Sequence, residues 1–292
     1  MENLDGKIVL TTEELDTIIK ETYKTGVEDS QKKNDNRSNG YLKKLEKEDF
    51  HKHIKKNYGS FYFSFYNKVI DILEPQYLVR ALYLCSFLNY DNNLFIKKHK
   101  RMYLKDLQCV LMLQEKETRK TKNELFKNNI LIINEDKSIS INEKFFKKGD
   151  IMKNGDKARI FDKSIKELYE NATPREHKKL ALLYRLIPYV NNNWNIVCKN
   201  VHEEDRNNIE PYTLKELSEV LGVKNVTRFK NDLLKITIDG VPAVMIQLVF
   251  NTNRILINPK IYYKGTRYDD VKVIEDDIKE IVKNKVNINN KD

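Results

Sequence analysis

Glycine and proline are scarce in this chain. Its 292 residues hold nine glycines and six prolines, and no GxGxxG or GxxxxGK[ST] spacing occurs among them. Loops whose backbone N–H groups cradle nucleotide phosphates are therefore not expected. Cysteine is scarcer still, and Cys85, Cys109 and Cys198 are far apart and odd in number. That excludes a disulfide framework and a zinc ribbon, and leaves three small core or surface residues. No stretch approaches the roughly 18 to 20 continuous apolar residues of a spanning helix, and the start, MENLDGKIVL, lacks a basic region ahead of an apolar core. A soluble, intracellular protein with no membrane partner is expected.

Catalytic signatures are thin too. An enzyme gathers a nucleophile, a base, metal ligands or phosphate-binding glycines in one place. His51-Lys52-His53 resembles the metal-binding pair of a nicking enzyme, but its middle residue is Lys in a charged helix where that motif has an apolar residue in a strand. Cys198 and His202 have the spacing of a zinc pair with no second pair. Glu203-Glu204-Asp205 reads as a solvated loop. No catalytic residue, metal site or cofactor is expected.

Positive charge is what the chain does have. Lys and Arg number 53 against 43 Asp and Glu, a formal net charge of +10. Such a surplus favours a polyanionic partner. The chain is also rich in Lys, Asn, Ile and Tyr, as an AT-rich genome supplies, so the location of the charge matters more than its sum.

A repeat organises the chain. Leu82, Asn92, Asn93 and Ile96 fall on Leu182, Asn192, Asn193 and Ile196 at one constant offset. Leu104-Lys105-Asp106-Leu107 matches Leu214-Lys215-Glu216-Leu217, and the run from Lys122 to Lys127 matches Lys230 to Lys235. Both copies end alike: Ile141-Asn142, Phe146 and Lys148-Gly149 against Ile257-Asn258, Tyr262 and Lys264-Gly265. The second copy is the fuller one. It runs from an apolar helix, LALLYRLIPYV, through an Asn-rich corner to the helices YTLKELSEVLG and NVTRFKNDLLK, and closes with VPAVMIQLVF and RILINPKIYY around a tip at 251–253. This is the order of a winged helix-turn-helix.

The fold class expected is mainly α with small β-wings: two tandem winged helix-turn-helix domains and an N-terminal helical arm. The arm spans 1–57, with a capping box of Thr11 and Glu14, a stripe of Leu15, Ile18, Ile19 and Tyr23, a stop at Gly26 and a flexible linker over 27–40. The first domain spans 58–149, a connector 150–172, the second domain 173–267, and a C-terminal helix and tail 268–292. The aromatics from Tyr58 to Tyr66 are expected to pack beneath the first domain rather than to stack bases. Thr173-Pro174-Arg175-Glu176 reads as a capped helix start, and Val273, Ile274, Ile278, Ile281 and Val282 as a stripe that docks or pairs with a second chain. The arm and this C-terminal helix are the expected routes to a protein partner or to self-association.

In helix-turn-helix proteins the second helix enters the major groove of duplex DNA. Here Lys224, Asn225, Thr227, Arg228, Lys230 and Asn231 are expected on its outer side, with Val226, Phe229, Leu233 and Leu234 inside. Arg suits guanine edges, Asn adenine, and Lys phosphate. The first copy offers Lys116, Thr118, Arg119, Lys120, Lys122 and Asn123 at the same place, and Asn253 and Arg254 sit near the tip of the second wing.

The ending Asn258-Pro259-Lys260 to Gly265, after a helix such as VTRFKNDLLK, resembles winged-helix proteins of phages and plasmids in low-GC Gram-positive bacteria, a group that includes MarR-like regulators and RepL-type plasmid replication proteins. The resemblance covers the second copy well and the first less well, since Glu143 stands where Pro259 stands. It implies a DNA-reading role for the exposed residues of 225–231, a mobile-element origin and a bacterial cytoplasmic setting. The function expected is sequence-specific binding of double-stranded DNA in replication initiation or transcription regulation, and the alternative is a winged-helix protein-interaction module.

Overall fold

The structure, a computed structural model, describes residues 3–4, 7–8, 12–149, 156–249 and 252–289. About half of these residues are helical, in ten helices, and the strands form small antiparallel sheets without a barrel. The chain divides into two compact units, Met1–Asp49 and Phe50–Asp292.

The first unit holds a two-residue strand pair, β1 (Asn3–Leu4) with β2 (Lys7–Ile8), and most of helix α1 (Thr12–Asn57). The stop expected at Gly26 and the linker over 27–40 are corrected here, because α1 runs through both without a break. The segment is poor in apolar residues, but it has no proline, and Lys, Glu, Gln and Arg are residues of good helix propensity. Thr11 of the expected capping box lies outside the described residues, as do the side chains of Leu15, Ile18, Ile19 and Tyr23. Tyr41, Leu42 and Leu45 are exposed.

The second unit starts with the end of α1, where Phe50 and Ile54 are buried. Its first half contains β3 (Phe61–Ser64), α2 (Tyr66–Ile72), α3 (Pro75–Cys85), the hairpin β4 (Phe95–Lys97) and β5 (Lys100–Arg101), α4 (Leu107–Leu111), α5 (Glu115–Lys127), the hairpin β6 (Leu131–Ile133) and β7 (Ile139–Ile141), and β8 (Phe146–Lys147). The second half contains β9 (Ala158–Phe161), α6 (Asp162–Glu170), α7 (His177–Arg185), α8 (Leu214–Val220), α9 (Val226–Leu234), the pair β10 (Thr237–Ile238) and β11 (Val241–Pro242), the hairpin β12 (Val244–Val249) and β13 (Thr252–Ile257), and β14 (Tyr262–Tyr263). Helix α10 (Tyr268–Asn289) closes the chain.

The two halves meet in one four-stranded sheet of order β14-β9-β3-β8. Its centre is the antiparallel pair β3 and β9, in which Phe63 faces Arg159. Each central strand is flanked by the closing strand of its own half. Phe63 pairs with Lys147 as Arg159 pairs with Tyr263, and Ser64 pairs with Phe146 as Ile160 pairs with Tyr262. The backbone bond from Phe65 N–H to the Phe145 carbonyl, 2.9 Å, has its counterpart from Phe161 N–H to the Ile261 carbonyl, 3.3 Å. The aromatic run at 58–66 thus supplies a central strand rather than a surface platform. Helices α3 and α7 pack on each other, and one continuous apolar core runs through both halves. The segment expected as a connector contributes strand β9 and helix α6, and 150–155 lie outside the described residues.

The internal match is written in hydrogen bonds. Asn92 donates its side-chain amide to the carbonyls of Ile141 (3.1 Å) and Phe146 (2.6 Å), and Asn195 donates to those of Ile257 (3.2 Å) and Tyr262 (3.0 Å). Both asparagines have left-handed backbone, φ 57° and 51°. Asn tolerates that conformation better than most residues. Asn142 and Asn258 each accept a backbone N–H two residues on, from Lys144 (3.0 Å) and Lys260 (3.1 Å). The offset read from the sequence is corrected at the corner: the partner of Asn92 is Asn195, not Asn192. The cause is an Asx turn in which Asn191 Oδ1 accepts from Asn193 and Trp194, placing the left-handed residue further along. Gly265 ends the second half where a Cβ would stand 2.8 Å from the Asn192 carbonyl oxygen, so only glycine fits.

A second apolar cluster joins the end of α1, the β12–β13 hairpin and α10 through Ile54, Met245, Leu256, Val271, Ile274 and Ile278. The C-terminal stripe expected from the sequence is thereby largely covered, although Val273 stays 39% exposed.

Candidate nucleic-acid interface

Helix α9 owes its start and its orientation to a few residues. In α8, Thr213 and Glu216 form a reciprocal cap, with Thr213 N–H donating to Glu216 Oε2 at 2.9 Å and Glu216 N–H to Thr213 Oγ1 at 3.2 Å. Gly222, φ 68°, ends α8 in the left-handed conformation that glycine adopts without strain. Asn225 then caps α9, its Oδ1 accepting the Arg228 N–H at 2.8 Å. Phe229 and Leu233, one turn apart, are buried against α7 and α8. The opposite face is thereby turned outward, and Lys224, Thr227, Arg228, Lys230 and Asn231 are all exposed.

Two details refine that face. The side-chain oxygen of Asn225 is engaged by the cap, and its amide NH2 is the donor it offers a ligand. Arg228 Nε stands 3.6 Å from Asp232, which also faces Lys179 at 3.6 Å. Asp232 is mostly covered but Arg228 is 75% exposed, and at this distance the solvent-screened pair contributes less than about 1 kcal/mol and leaves the guanidinium able to swing.

Helix α5 presents the matching face in the first half. Lys116, Arg119, Lys120 and Asn123 are exposed along one side, whereas Thr118 and Lys122 are half-buried. Thr118 turns its hydroxyl back to the Gln114 carbonyl at 3.1 Å. Lys120 pairs with Glu117 at 3.0 Å, and that contact, with Arg80 behind it, holds the Glu117 carboxyl below its ordinary range. Beneath the helix, Arg80 is fully buried and donates to Thr121 Oγ1 at 2.8 Å. Arg80 was not singled out in the sequence, where it is one cation in an apolar run.

The hairpin tip differs from expectation. Arg254 pairs with Gln247, and two further residue pairs separate it from the turn. Alternation along β13 puts Arg254 on the same face as Leu256, which α10 covers. It is half-buried there, beside Arg206 and Asp277, and burial lowers its guanidinium pKa. Asn253 pairs with Leu248, and its side chain lies outside the described residues, as does the expected tip residue Asn251.

No family model, curated protein or solved structure matches this chain.

The remaining candidates resolve into structural contacts. His53 Nε2 lies 3.2 Å from Glu275, which also accepts from the Tyr58 hydroxyl at 2.6 Å, and the His51 ring stacks on Phe61. Burial pushes the Cys198 thiol up to about 11, while His202 is exposed and meets Asn192 at 3.0 Å. Glu203 and Glu204 use their backbone carbonyls to hold Asn191 and Trp194. Among the described residues no three His, Cys, Asp or Glu side chains gather as a metal site, and no helix is long and apolar enough to cross a membrane.

Proposed function

We propose that the second unit is a pair of tandem winged helix-turn-helix domains that binds double-stranded DNA in a sequence-specific way, by recognition and without catalysis. The supporting observation is the outward face of α9, where Thr227, Arg228, Lys230 and Asn231 stand exposed, with Lys224 just ahead of the cap, on a helix whose other face is locked into the core. Helix α5 carries the same design, and two linked heads gain from effective concentration. Arg228 and Asn231 are the candidates for base edges, and the lysines for phosphates. The role that fits is replication initiation or transcription regulation in a mobile element.

Footprinting of the purified protein on DNA tiling its own gene and flanks tests this reading. Discrete protection is expected, over a promoter for a regulator and over repeated elements for an initiator. A uniform signal that fades with salt would overturn sequence specificity. A protein-docking module is the second reading, favoured by the exposed Tyr41 (63%) and Leu42 (55%) in the N-terminal unit. It gains if no DNA protection is seen.

A further inference from the structure

The hairpin β4–β5 concentrates charge in a way its fold does not need. Lys97, Lys98, His99, Lys100 and Arg101 are consecutive, and all five are exposed. The register sets Lys97 directly opposite Lys100. Like charges facing each other across a strand pair destabilise it. Among the described residues only Arg101 is answered, by Asp136 of the β6–β7 turn at 2.6 Å. Among the described residues no carboxylate lies within ion-pair distance of Lys97, Lys98 or Lys100. Below the tip, Ile96 packs against the main core, so the lysines are held on an anchored hairpin rather than on a loose loop.

The second half has no such feature. Between its left-handed Asn195 and helix α8 it carries Lys199 and Arg206 against Glu203, Glu204, Asp205 and Glu210. Both cations there are engaged, Lys199 with Glu216 at 2.6 Å and Arg206 with Asp277 of α10 and the Trp194 ring. The two halves share a scaffold, and in this segment the first carries unanswered cations where the second carries paired ones.

We infer that the Lys97–Arg101 hairpin is a further DNA-contacting element, which holds the phosphate backbone in addition to the contacts of helices α5 and α9 and is present in the first half alone. The inference rests on the DNA-binding reading above. A backbone of closely spaced phosphates supplies the anions that the opposed lysines lack, and it needs no particular base sequence. The two halves then grip DNA unequally: the first through hairpin and helix, the second through its helix.

The salt dependence of binding tests this. Affinity of the full chain for its footprinted duplex is measured across a salt series for the wild type, for the triple variant K97A/K98A/K100A, and for a control variant K272A/K283A on the exposed side of α10. Each neutralised phosphate contributes roughly 0.9 to the slope of log K against log salt. The triple variant is expected to lower that slope by about 2 to 3 while keeping the footprint position and without lowering the melting temperature, with the control unchanged. An unchanged slope in the triple variant, with wild-type binding intact, would overturn the hairpin assignment and leave the DNA reading standing. Equal losses in the triple and control variants would reduce the hairpin to general charge and overturn it as well. If the wild type binds no duplex at any salt concentration, the DNA reading falls and the hairpin assignment with it.

Discussion

Arg80 Nε donates to His177 Nδ1 across 3.4 Å, in the buried seam where α3 of the first half meets α7 of the second. The same guanidinium reaches Thr121 and Glu117 of α5. One buried cation therefore ties the candidate reading helix of the first half to the scaffold of the second. The geometry requires His177 to be neutral, since a protonated ring would turn a donor toward a cation.

A pH dependence follows. Burial, and secondarily Arg80, pulls the His177 pKa from 6.5 down to about 4. Above the ordinary value neither folded nor unfolded His177 carries the proton. Below it, the unfolded chain takes up a proton that the folded chain refuses, so stability falls as pH drops from 6.5 toward 4. The loss from this residue is on the order of 3 kcal/mol. Urea unfolding at pH 7 and pH 5, for wild type and H177Q, measures it: the variant should lose less stability between the two. In R80M the NMR titration of His177 should move upward and remain below 6.5, because burial persists.

Asn92 and Asn195 are both expected to be costly to replace, Asn92 the more so because its Oδ1 also accepts the Lys148 N–H at 3.1 Å while Asn195 Oδ1 has no hydrogen-bond partner among the described residues. Replacing either by Ala strips two buried carbonyls of their donor and leaves an alanine in left-handed backbone. A cost of roughly 2 to 5 kcal/mol is expected for each, from the unpaired carbonyls and the strain together. Chemical denaturation should show both losses, with N92A exceeding N195A by roughly one hydrogen bond, about 1 kcal/mol; a loss below about 1 kcal/mol at either site would mean that the asparagine does not hold its corner.

Arg228 and Lys230 should separate binding from folding. Both are exposed, and R228A/K230A should change stability by less than about 1 kcal/mol. Under the DNA-binding proposal the same variant lowers the salt slope by about 1 or more and relaxes sequence preference where Arg228 meets a base. Unchanged affinity would remove α9 from the interface.

The C-terminal helix is a working part of the core. Ile274 is 1% exposed between the end of α1 and the β12–β13 hairpin. I274A should cost about 2 to 5 kcal/mol in denaturant unfolding, as for other buried large-to-small changes. A loss below about 1 kcal/mol would mean that α10 rests on the hairpin without supporting it.

Much of the local structure was legible because local chemistry decides it. The runs YTLKELSEVLG and NVTRFKNDLLK, with Phe229 and Leu233 on the inner side, place α8 and α9 to within a residue or two. Asn142 and Asn258 mark the same turn twice. The central sheet was not legible, since its strands are two to four residues long. Their pairing joins residues about a hundred positions apart, and no alternation of polar and apolar residues announces it. Arg254 was misplaced for a related reason. The stripe on α10 was visible in the sequence, but its partner, one face of the β12–β13 hairpin, was not. The run from Lys97 to Arg101 was open to reading throughout and was lost in a chain where lysine is common.

The β3–β9 pairing has a consequence for how the protein behaves on dilution. Two separate chains that met through such a sheet would come apart at low concentration, and the distance between their helices would be lost with them. Here the partners are covalently joined and each strand is closed by its own half, so the spacing of α5 and α9 is a property of the monomer. A single molecule per cell holds both helices in register as firmly as a thousand.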